Sequence, residues 1–421
     1  MKIRGLPPRV AANSLLITVV FSLVIGLISA AFVLEAYMLL LEKSGADMDV
    51  LLSRNMESSV DLVLEDGLPA GQSQQKALDL FGAGSDSVYI QEERWGVYEV
   101  ACVKVAASMR MKQKNFFVGS LLPDSLDACL YLAEHQRPLS IVGNTLLTGD
   151  AYLPKSGVKP GYIEQRGYAY TTLVNGNIER SAGALPALDN GLLQHFGDLR
   201  PPDSAMKARD LIPTVMRQSF TDTVKVIQGH GVLELSGDSL SGHIHIVCDS
   251  LIVVDADAHL DNIVLTAPAI RFKTGFAGRV QAFGSDSVVA EDNCTFAYPS
   301  SLVLLKKTKV TYQPRLILGD NCLLEGVALA YCDSTDQVKN YAEIGTGSTV
   351  KGILYANGYL MMKGTVQGVT LVDYFLYRGA SIIYENYLVD AQLDRADLDI
   401  HFAGPVLFTG RQRKRVLQWV N

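Results

Sequence analysis

Several features that would identify a function are scarce or missing in this chain of 421 residues. Cysteine occurs six times and never with CxxC spacing, which excludes a disulfide-rich scaffold. The formal net charge is −7, whereas a general nucleic-acid binder needs a basic field. No GxSxG, P-loop or Rossmann glycine pattern occurs. The sequence therefore argues against nucleic-acid binding and against the common hydrolase and nucleotide-binding classes.

One long apolar run lies near the N-terminus. Leu15–Leu34 contains no charged residue and has the length that one helix needs to cross a bilayer. The basic residues Lys2, Arg4 and Arg9 precede it, and the acidic Glu35 follows. Positive flanks stay on the cytoplasmic side. We therefore expect a single-pass anchor in the cytoplasmic (inner) membrane, with the N-terminus inside and most of the chain in the periplasm or outside the cell.

A cleavable signal peptide is the alternative for this run, because Ser29–Ala31 offers small residues after an apolar stretch. The apolar character, however, continues through Phe32–Leu34 and returns at Tyr37–Leu41. A retained transmembrane helix is therefore the prediction.

The next segment predicts a helical stem followed by strands. Apolar residues from Met48 to Leu64 recur at helical spacing, which indicates that the membrane helix continues. Ser73–Phe81 predicts a second short helix, and the basic residues 110–114 predict a solvated turn. Three alternating stretches predict a small antiparallel meander: 87–91, 97–106 and 116–121.

The stretch from Leu251 to Tyr384 repeats itself. Six apolar residues define a first position: Val254, Ala290, Leu318, Ile344, Leu360 and Leu376. Six residues later each repeat has another apolar residue: Leu260, Phe296, Leu324, Val350, Val366 and Ile382. Between them, four residues after the first position, stands a small residue: Ala258, Cys294, Cys322, Ser348, Gly364 and Ala380. Such repetition predicts a β-solenoid with stacked interior columns.

The fold class is therefore mainly β. Leu139–Pro154 has the texture of a solenoid rung separated from the main run, and the tract 155–230 predicts an excursion with short helices at 188–196 and 205–216. Val416, Leu417, Trp419 and Val420 predict a cap over the open end, although the basic cluster before them could instead meet a partner.

The predicted organisation has six parts: a cytoplasmic basic leader (1–13), a transmembrane helix (14–41), a helical stem and strand meander (42–122), an isolated rung and long excursion (123–230), a β-solenoid (231–410) and a C-terminal cap or tail (411–421).

Candidate chemical groups are few. His243 and His245 alternate on one strand and could share a metal, but they are more simply two exposed side chains on an outer face. Asp255, Asp257 and Asp261 could serve a polysaccharide lyase or hydrolase, although turns favour Asp in any case. We predict no catalytic, cofactor-binding or metal-binding residues and no enzymatic activity.

Cys294 and Cys322 occupy the same small position in two repeats. The simplest interpretation is a pair of buried small apolar residues. A disulfide between stacked cysteines is the alternative if the domain lies outside the cytoplasm.

Two hexads, Leu318–Leu323 and Ile344–Thr349, resemble the hexapeptide repeat of left-handed β-helix acyltransferases. Those enzymes run hexads without interruption at about eighteen residues per rung. Here the last three repeats step by sixteen residues, and a right-handed solenoid is favoured.

The N-terminal layout of basic leader, apolar helix, helical stem and strand meander resembles a pilin-like or pseudopilin-like protein, of the minor kind that carries a large extra domain. Gly352–Gly368 is similar to the solenoid rungs of such extra domains, and Asp249–Pro299 resembles uncharacterised membrane-anchored solenoids of bacterial envelopes. Pilins have Gly directly before the apolar helix and Glu as fifth mature residue, where this chain has Asn13 and Thr18.

The resemblance implies a non-enzymatic, membrane-anchored extracytoplasmic component of a cell-envelope machine, either type IV pilus-like or a secretion system. Its expected partners are the membrane through Leu15–Leu34 and envelope proteins, which include pilin-like ones. The alternative is a carbohydrate-binding or carbohydrate-active β-helix protein that meets a polysaccharide. An aromatic groove would favour that alternative, and its candidates are Tyr355, Tyr359, Tyr374, Phe375, Tyr377 and Tyr384.

Overall fold

The computed structural model of this chain describes residues 13–65, 76–80, 86–107, 110–123, 126–198, 214–306, 312–333, 338–379, 382–410 and 412–420. They fall into two compact units. The first comprises the long helix up to Ser59 with the segments Ala77–Tyr89 and Lys104–Gln113, and the second comprises the remainder.

The described residues form two helices, α1 (Asn13–Leu64) and α2 (Asn190–Asp198). Their strands, in chain order, are β1 (Lys76–Leu78), β2 (Asp86–Trp95), β3 (Tyr98–Ala107), β4 (Arg110–Ser120), β5 (Leu130–Leu132), β6 (Leu139–Val142), β7 (Leu146–Thr148), β8 (Ala151–Leu153), β9 (Val158–Pro160), β10 (Tyr162–Ile163), β11 (Arg166–Gly167), β12 (Ile178–Arg180), β13 (Val215–Gln218), β14 (Lys225–Gly229), β15 (Val232–Leu235), β16 (Ser239–Gly242), β17 (Ile244–Cys248), β18 (Leu251–Val254), β19 (His259–Phe272), β20 (Ala277–Ala290), β21 (Thr295–Lys306), β22 (Arg315–Leu318), β23 (Leu323–Cys332), β24 (Tyr341–Ile344), β25 (Thr349–Met362), β26 (Thr365–Arg378), β27 (Ile383–Glu385), β28 (Tyr387–Val389), β29 (Gln392–Asp394) and β30 (Lys414–Val420).

The helix α1 has two halves of different character. Its first half exposes apolar side chains almost continuously from Leu15 to Leu41. Further along, Leu52 and Met56 are buried. By length and composition, α1 is the only described helix that could cross a membrane. The predicted continuation of the apolar helix into a stem is confirmed, because α1 runs without a break to Leu64.

Five of the strands form a sheet in the order β1-β2-β3-β4-β30. Two predictions for this region are wrong. Lys76–Leu78 forms a strand where a short helix was expected, and the basic residues from Arg110 onward begin β4 where a turn was expected. The Arg110 Nη1 lies 3.0 Å from Asp49 Oδ2, so the start of this strand is paired with α1.

Most remaining strands form one closed sheet with parallel pairing. We use the term layer for a stretch of chain that pairs along its length with one earlier stretch and one later stretch. Asp261 pairs with Arg279, eighteen residues on, and Thr349 pairs with Thr365, sixteen residues on. The layers follow chain order from β13 to β26, so this continuous run of layers begins at Val215, before the predicted boundary at 231.

The layers beyond β26 come from two distant parts of the chain. One part of β26 pairs with β29, and another part pairs with β5, which lies far earlier in the sequence. The strand β29 then pairs with β7, β5 pairs with β8, and β8 pairs with β12. The stretch predicted as an isolated rung therefore supplies β7 and β8 to the closed sheet beyond β26, and its β6 pairs with β28 and β9 in a separate three-stranded sheet.

The predicted C-terminal cap is wrong, because β30 does not cover an end of the closed sheet. It pairs antiparallel with β4, where Val416 faces Val118 and Trp419 faces Phe116. The Trp419 ring packs against Phe116 at 5.1 Å between centroids, and Val420 is buried. The strands β29 and β5, rather than β30, pair with β26.

The predicted interior positions are buried in five repeats. Their apolar positions are all at most 2% exposed: Val254, Ala290, Leu318, Ile344, Leu360, Leu260, Phe296, Leu324, Val350 and Val366. The sixth repeat is wrong, because Ile382 is 59% exposed and Leu376 pairs antiparallel with Glu385. Leu393 pairs with Val366 and is buried, so it occupies the interior position that the repeat alignment assigns to Ile382. Ala380 lies outside the described residues.

The register also contains a layer that the repeat alignment omits. Phe272 and Phe276 are fully buried, and each ring packs against Phe296, with centroids 5.0 and 5.6 Å apart. In addition, Met362 rather than Leu360 pairs with Ile344. The turn between β25 and β26 is two residues shorter than the turn between β24 and β25. A repeat alignment that counts a fixed number of residues does not show this shift.

The small column is confirmed as a set of buried residues that meet backbone. The amide of Cys322 donates to Ser348 Oγ at 2.8 Å, and the amide of Cys294 donates to Cys322 Sγ at 3.3 Å. A Cβ atom on Gly364 would lie 2.3 Å from the Ser348 carbonyl oxygen. Successive layers approach so closely here that only small side chains fit.

The turns before this column are held by aspartates. Asp292 Oδ1 accepts from the amide of Asp320 at 2.8 Å, and Asp320 Oδ1 accepts from the amide of Thr346 at 2.7 Å. Asn293 and Asn321 adopt left-handed backbone, with φ of 59° and 55°. Asx residues tolerate this conformation, which explains the acidic and amide residues at these corners.

One outer face of the closed sheet is apolar and covered. Its buried side chains include Val264, Phe283, Val303, Leu329, Tyr355 and Leu371. The residues over them include Trp95, Tyr98, Phe117, Leu192, Phe196 and Phe408. The helix α2 therefore belongs to the cover of this face.

The first prediction concerns the small column. Gly364→Leu and Ala258→Leu should each lower the free energy of unfolding by about 1–3 kcal/mol or more, because a large inward side chain overpacks the turn. Gly183→Leu is the matched control, since Gly183 is exposed and its nearest atom would be 3.9 Å from a new Cβ. Urea titration of the detergent-solubilised protein, followed by circular dichroism, measures the effect. Parental stability in both core variants would show that the register is wrong.

Candidate functional site

A groove of about 580 Å³ lies on the outer surface of the second unit. One side is the flank of β23, β25 and β26, and the other is the segment 397–402 together with part of β30. Cavities of 300–1,000 Å³ are typical of small-ligand sites. Its main lining residues are Tyr298, Glu325, Lys351, Gln367, Asp397, Asp399, His401 and Phe402.

The floor of the groove is a row of polar side chains at one repeat position. Glu325, Lys351 and Gln367 pair with one another in register across three neighbouring strands. They alternate with the interior column residues, so strand geometry directs them outward. Lys351 Nζ lies 3.1 Å from Glu325 Oε1, and the Gln367 amide donates to Asp397 Oδ2 at 3.1 Å.

The wall of the groove is a chain of short turns that aspartates hold. Asp394 Oδ1 accepts from the amides of Ala396 and Asp397, at 2.9 and 3.2 Å. Asp399 Oδ1 accepts from the amide of His401 at 2.7 Å. These bonds fix the backbone that carries Asp397 and His401.

Two aromatic rings form one end of the groove. Tyr298 and Phe402 lie 5.7 Å apart between centroids, tilted by 58°. The Tyr298 hydroxyl donates to the carbonyl of Ala403 at 2.6 Å. Burial raises the pKa of Tyr298, so this hydroxyl keeps its proton near neutral pH. The groove thus combines an apolar platform with fixed hydrogen-bond donors and acceptors.

The three aspartates singled out from sequence lie elsewhere and have separate partners. Asp255 Oδ1 lies 2.5 Å from Lys273 Nζ, and Asp261 Oδ1 lies 2.7 Å from Arg279 Nη1. Asp257 accepts from the Ser236 hydroxyl at 3.3 Å. Each carboxylate therefore stabilises its own edge of the sheet.

His243 is not an exposed surface histidine, contrary to the prediction. It is 3% exposed, and its ring contacts those of Trp95 and Phe220 at 4.6 and 4.9 Å between centroids. Its Nε2 lies 2.8 Å from Glu93 Oε1, and its Nδ1 donates to the Asp222 carbonyl at 2.9 Å. Both ring nitrogens are engaged, and His243 joins strand β2 to the closed sheet.

His245 is also covered, with Nε2 2.9 Å from Thr266 Oγ1. Burial, and secondarily the proximity of His195, lowers the pKa of His245 to about 4. Within the part of the chain that the structure describes, no group of three or more His, Cys, Asp and Glu side chains could hold a metal ion.

The aromatic residues predicted to line a groove are absent from the lining of the groove described above. Phe375 is fully buried in the interior, and Tyr355 is buried beneath the backbone at Pro186, to whose carbonyl its hydroxyl donates at 3.3 Å. Tyr359 and Tyr374 pack against each other at 5.6 Å. The pair Tyr377 and Tyr384 forms a further contact at 6.4 Å.

The basic C-terminal cluster is partly structural. Lys414 Nζ lies 3.1 Å from Glu99 Oε2, and its side chain is only 6% exposed. Arg415 Nη1 lies 3.0 Å from His401 Nδ1 beside the groove. Arg411 lies outside the described residues.

Sequence reasoning missed the groove for two reasons. The floor residues follow Leu324, Val350 and Val366, and the repeat alone does not distinguish their outward position from other solvated positions. The walls come from Tyr298 and the segment 397–402, which no spacing or motif connects to the floor.

Comparisons with known proteins give little further information. No protein family model matches this chain, and no curated protein matches it. Among solved structures, the competence-associated pilin ComZ from Thermus thermophilus aligns over 83% of this chain and 86% of its own, with 8% sequence identity and a TM-score of 0.23. A score this low does not establish a shared fold.

The second prediction concerns pH. The pKa of His245 in the folded chain lies below the value of about 6.5 in an unfolded chain. Its contribution to stability is therefore complete above about pH 6.5 and is lost as the pH falls toward 4. His245→Gln should reduce the loss of unfolding free energy between pH 7 and pH 4.5 by about 1–3 kcal/mol.

Urea titrations at the two pH values measure this difference. His259→Gln is the control, because His259 is exposed on the same sheet. Equal pH dependence in the parent and the His245 variant would contradict the assignment of a buried neutral imidazole.

Proposed function

We propose that this chain is a non-enzymatic, membrane-anchored, extracytoplasmic structural or assembly component of a cell-envelope machine, of the type IV pilus-like or secretion class. The observation that carries the proposal is the helix α1. Its exposed apolar first half continues without a break into a stem, and a large β unit follows. An apolar surface of this length needs a bilayer or a bundle of similar helices.

The orientation in this proposal comes from charge. Lys2, Arg4 and Arg9 precede the apolar run, and the acidic Glu35 and Glu42 follow it. The positive-inside rule then directs residues after the run across the inner membrane in a single pass. The N-terminus stays in the cytoplasm, and both the stem and the β unit lie in the periplasm or outside the cell.

The closed parallel sheet is, in this proposal, a right-handed β-solenoid. Support comes from neighbouring layers separated by one repeat, with an interior filled by side-chain columns. Solenoids present long lateral faces, and such faces suit a part that docks other envelope proteins. Pilin-like proteins are the first partners to test.

A third prediction tests anchoring and orientation together. Val24→Arg should release the protein from the membrane fraction or abolish its export, because an arginine at the centre of a spanning helix costs about 2.5–3.5 kcal/mol. Val50→Arg is the matched control, since Val50 is exposed on the same helix beyond the apolar run. Alkaline extraction of membranes measures anchoring, and protease treatment of spheroplasts carrying a C-terminally tagged chain measures orientation.

A tag that resists protease in spheroplasts and is digested only after lysis would place the β unit in the cytoplasm and refute the orientation. A mature chain that begins after Ala31 would refute the retained anchor. Mild-detergent purification with mass spectrometry then tests assembly. Recovery of pilin-like or secretion-apparatus proteins is expected, and recovery of the protein alone would refute the assembly role.

The groove favours a second candidate function, which is the binding of a neutral glycan. The Tyr298–Phe402 platform offers a surface for a sugar ring, and Gln367, Asp397 and Asp399 offer acceptors and donors for its hydroxyls. The carboxylates make an anionic polysaccharide the poorer ligand.

The fourth prediction tests glycan binding. Phe402→Ala should weaken binding of neutral oligosaccharides about tenfold or more, a loss of about 1.4 kcal/mol, because the apolar platform is removed. Tyr162→Ala is the control, since Tyr162 is 69% exposed and does not line the groove. Titration calorimetry on the solubilised protein against an oligosaccharide panel measures the change. Absence of binding by the parent to every member would refute this candidate.

A further inference from the structure

Two cysteines of the small column lie in neighbouring layers at the same position. Thr295 pairs in register with Leu323, so the residues before them, Cys294 and Cys322, stack directly. The amide of Cys294 donates to Cys322 Sγ at 3.3 Å. Adjacent strands of one sheet lie about 4.8 Å apart, and disulfide-bonded Cα atoms usually lie 4.4–6.8 Å apart.

The local backbone is repeated as well as the cysteine. Each cysteine ends the same tripeptide, Asp292-Asn293-Cys294 and Asp320-Asn321-Cys322, and the two Asn residues share left-handed φ. The stacked thiols therefore belong to matched conformations and not to a chance approach of two loops.

The two thiols are free in the structure and influence each other. The contact with Cys294 lowers the pKa of Cys322, and the contact with Cys322 raises the pKa of Cys294. Cys322 Sγ also lies 3.0 Å from the Glu291 carbonyl, so it is directed toward the layer that carries Cys294. Cys294 Sγ lies 3.3 Å from the Lys273 carbonyl, and a rotation about its Cα–Cβ bond turns it toward Cys322.

We propose that Cys294 and Cys322 form a disulfide that joins two neighbouring layers of the closed sheet; its formation in the cell rests on the extracytoplasmic location proposed above. The oxidant is a disulfide, RSSR, of an extracytoplasmic thiol oxidase or a small molecule. The thiolate of one cysteine attacks a sulfur of RSSR and releases RS⁻, which leaves a mixed disulfide. The second cysteine attacks the protein sulfur of that mixed disulfide, forms the Cys294–Cys322 bond and releases the second RS⁻.

The balance is two protein thiols and one RSSR to one protein disulfide and two RSH. Cys294 and Cys322 are at most 2% exposed in the folded chain. The exchange therefore takes place while the layers assemble, and the finished bond is shielded from reductants. The bond closes a loop across 28 residues of sequence separation.

Chemical trapping tests the proposal on the full-length protein. Membranes are quenched with acid, denatured and alkylated with N-ethylmaleimide, and the purified chain is digested without reduction. We expect a cross-linked peptide pair that contains Cys294 and Cys322, with two of the six thiols protected from alkylation until a reductant is added. Cys294→Ser should abolish the cross-link and expose Cys322 to alkylation, while Ser348 shows that serine fits this column.

Cys248→Ser is the control, because Cys248 lies in another layer, where its Sγ contacts the Gly231 carbonyl at 3.3 Å. It should leave the cross-link intact. In the parent, reduction should also lower the melting temperature by several degrees, because the closed loop no longer restricts the unfolded chain. Cys294→Ser should show no such dependence on reductant.

A second arm separates the pairing from the location. The purified chain is unfolded in urea with reductant and then refolded in detergent with oxidised and reduced glutathione. The Cys294–Cys322 bond in both arms supports the proposal. The bond after refolding but six free thiols in membranes would uphold the pairing and refute the extracytoplasmic location. Six free thiols in both arms, or a different pairing, would overturn the proposal.

Discussion

Parallel pairing in register is the constraint on which the rest of this structure depends. Each layer bonds through its backbone to the layer before and the layer after, so residues at the same repeat position become direct neighbours. A side chain in this arrangement must tolerate its counterparts above and below. That condition selects small residues around Gly364, apolar ones along the interior, and aspartates that bridge successive turns.

The same constraint decides which parts of the fold can be predicted from sequence. Interior residues such as Leu324, Val350 and Val366 repeat because they stack, and their periodicity is therefore visible without a structure. The position of Met362 is not visible, because a turn shortened by two residues changes the spacing while the pairing stays in register. Ile382 is apolar and has the spacing that the repeat requires, but it lies beyond the end of β26.

Partners that are distant in sequence are harder to predict. The strands β5, β7 and β8 have three residues each, too few to show a period. The apolar β30 suits a cap over an open end and an edge of the antiparallel sheet equally well, and only the pairing with β4 decides between them. The groove likewise has one part that the sequence can predict and one part that it cannot. Its floor repeats with the sheet and could have been found, whereas Tyr298 and the segment 397–402 meet only in three dimensions.

The placement of β5 beside β26 has a consequence for biosynthesis. Leu130 pairs with Thr370, and Leu146 pairs with Gln392, so the early segment has no sheet to join until the late one exists. A chain that leaves the ribosome N-terminus first holds this segment without its partner through most of synthesis. Such distant pairings carry a large loop-closure cost and slow the folding of β topologies. The late layers thus template the early ones, and a chain cut short before residue 365 would leave the segment from 130 to 180 with no edge on which to fold.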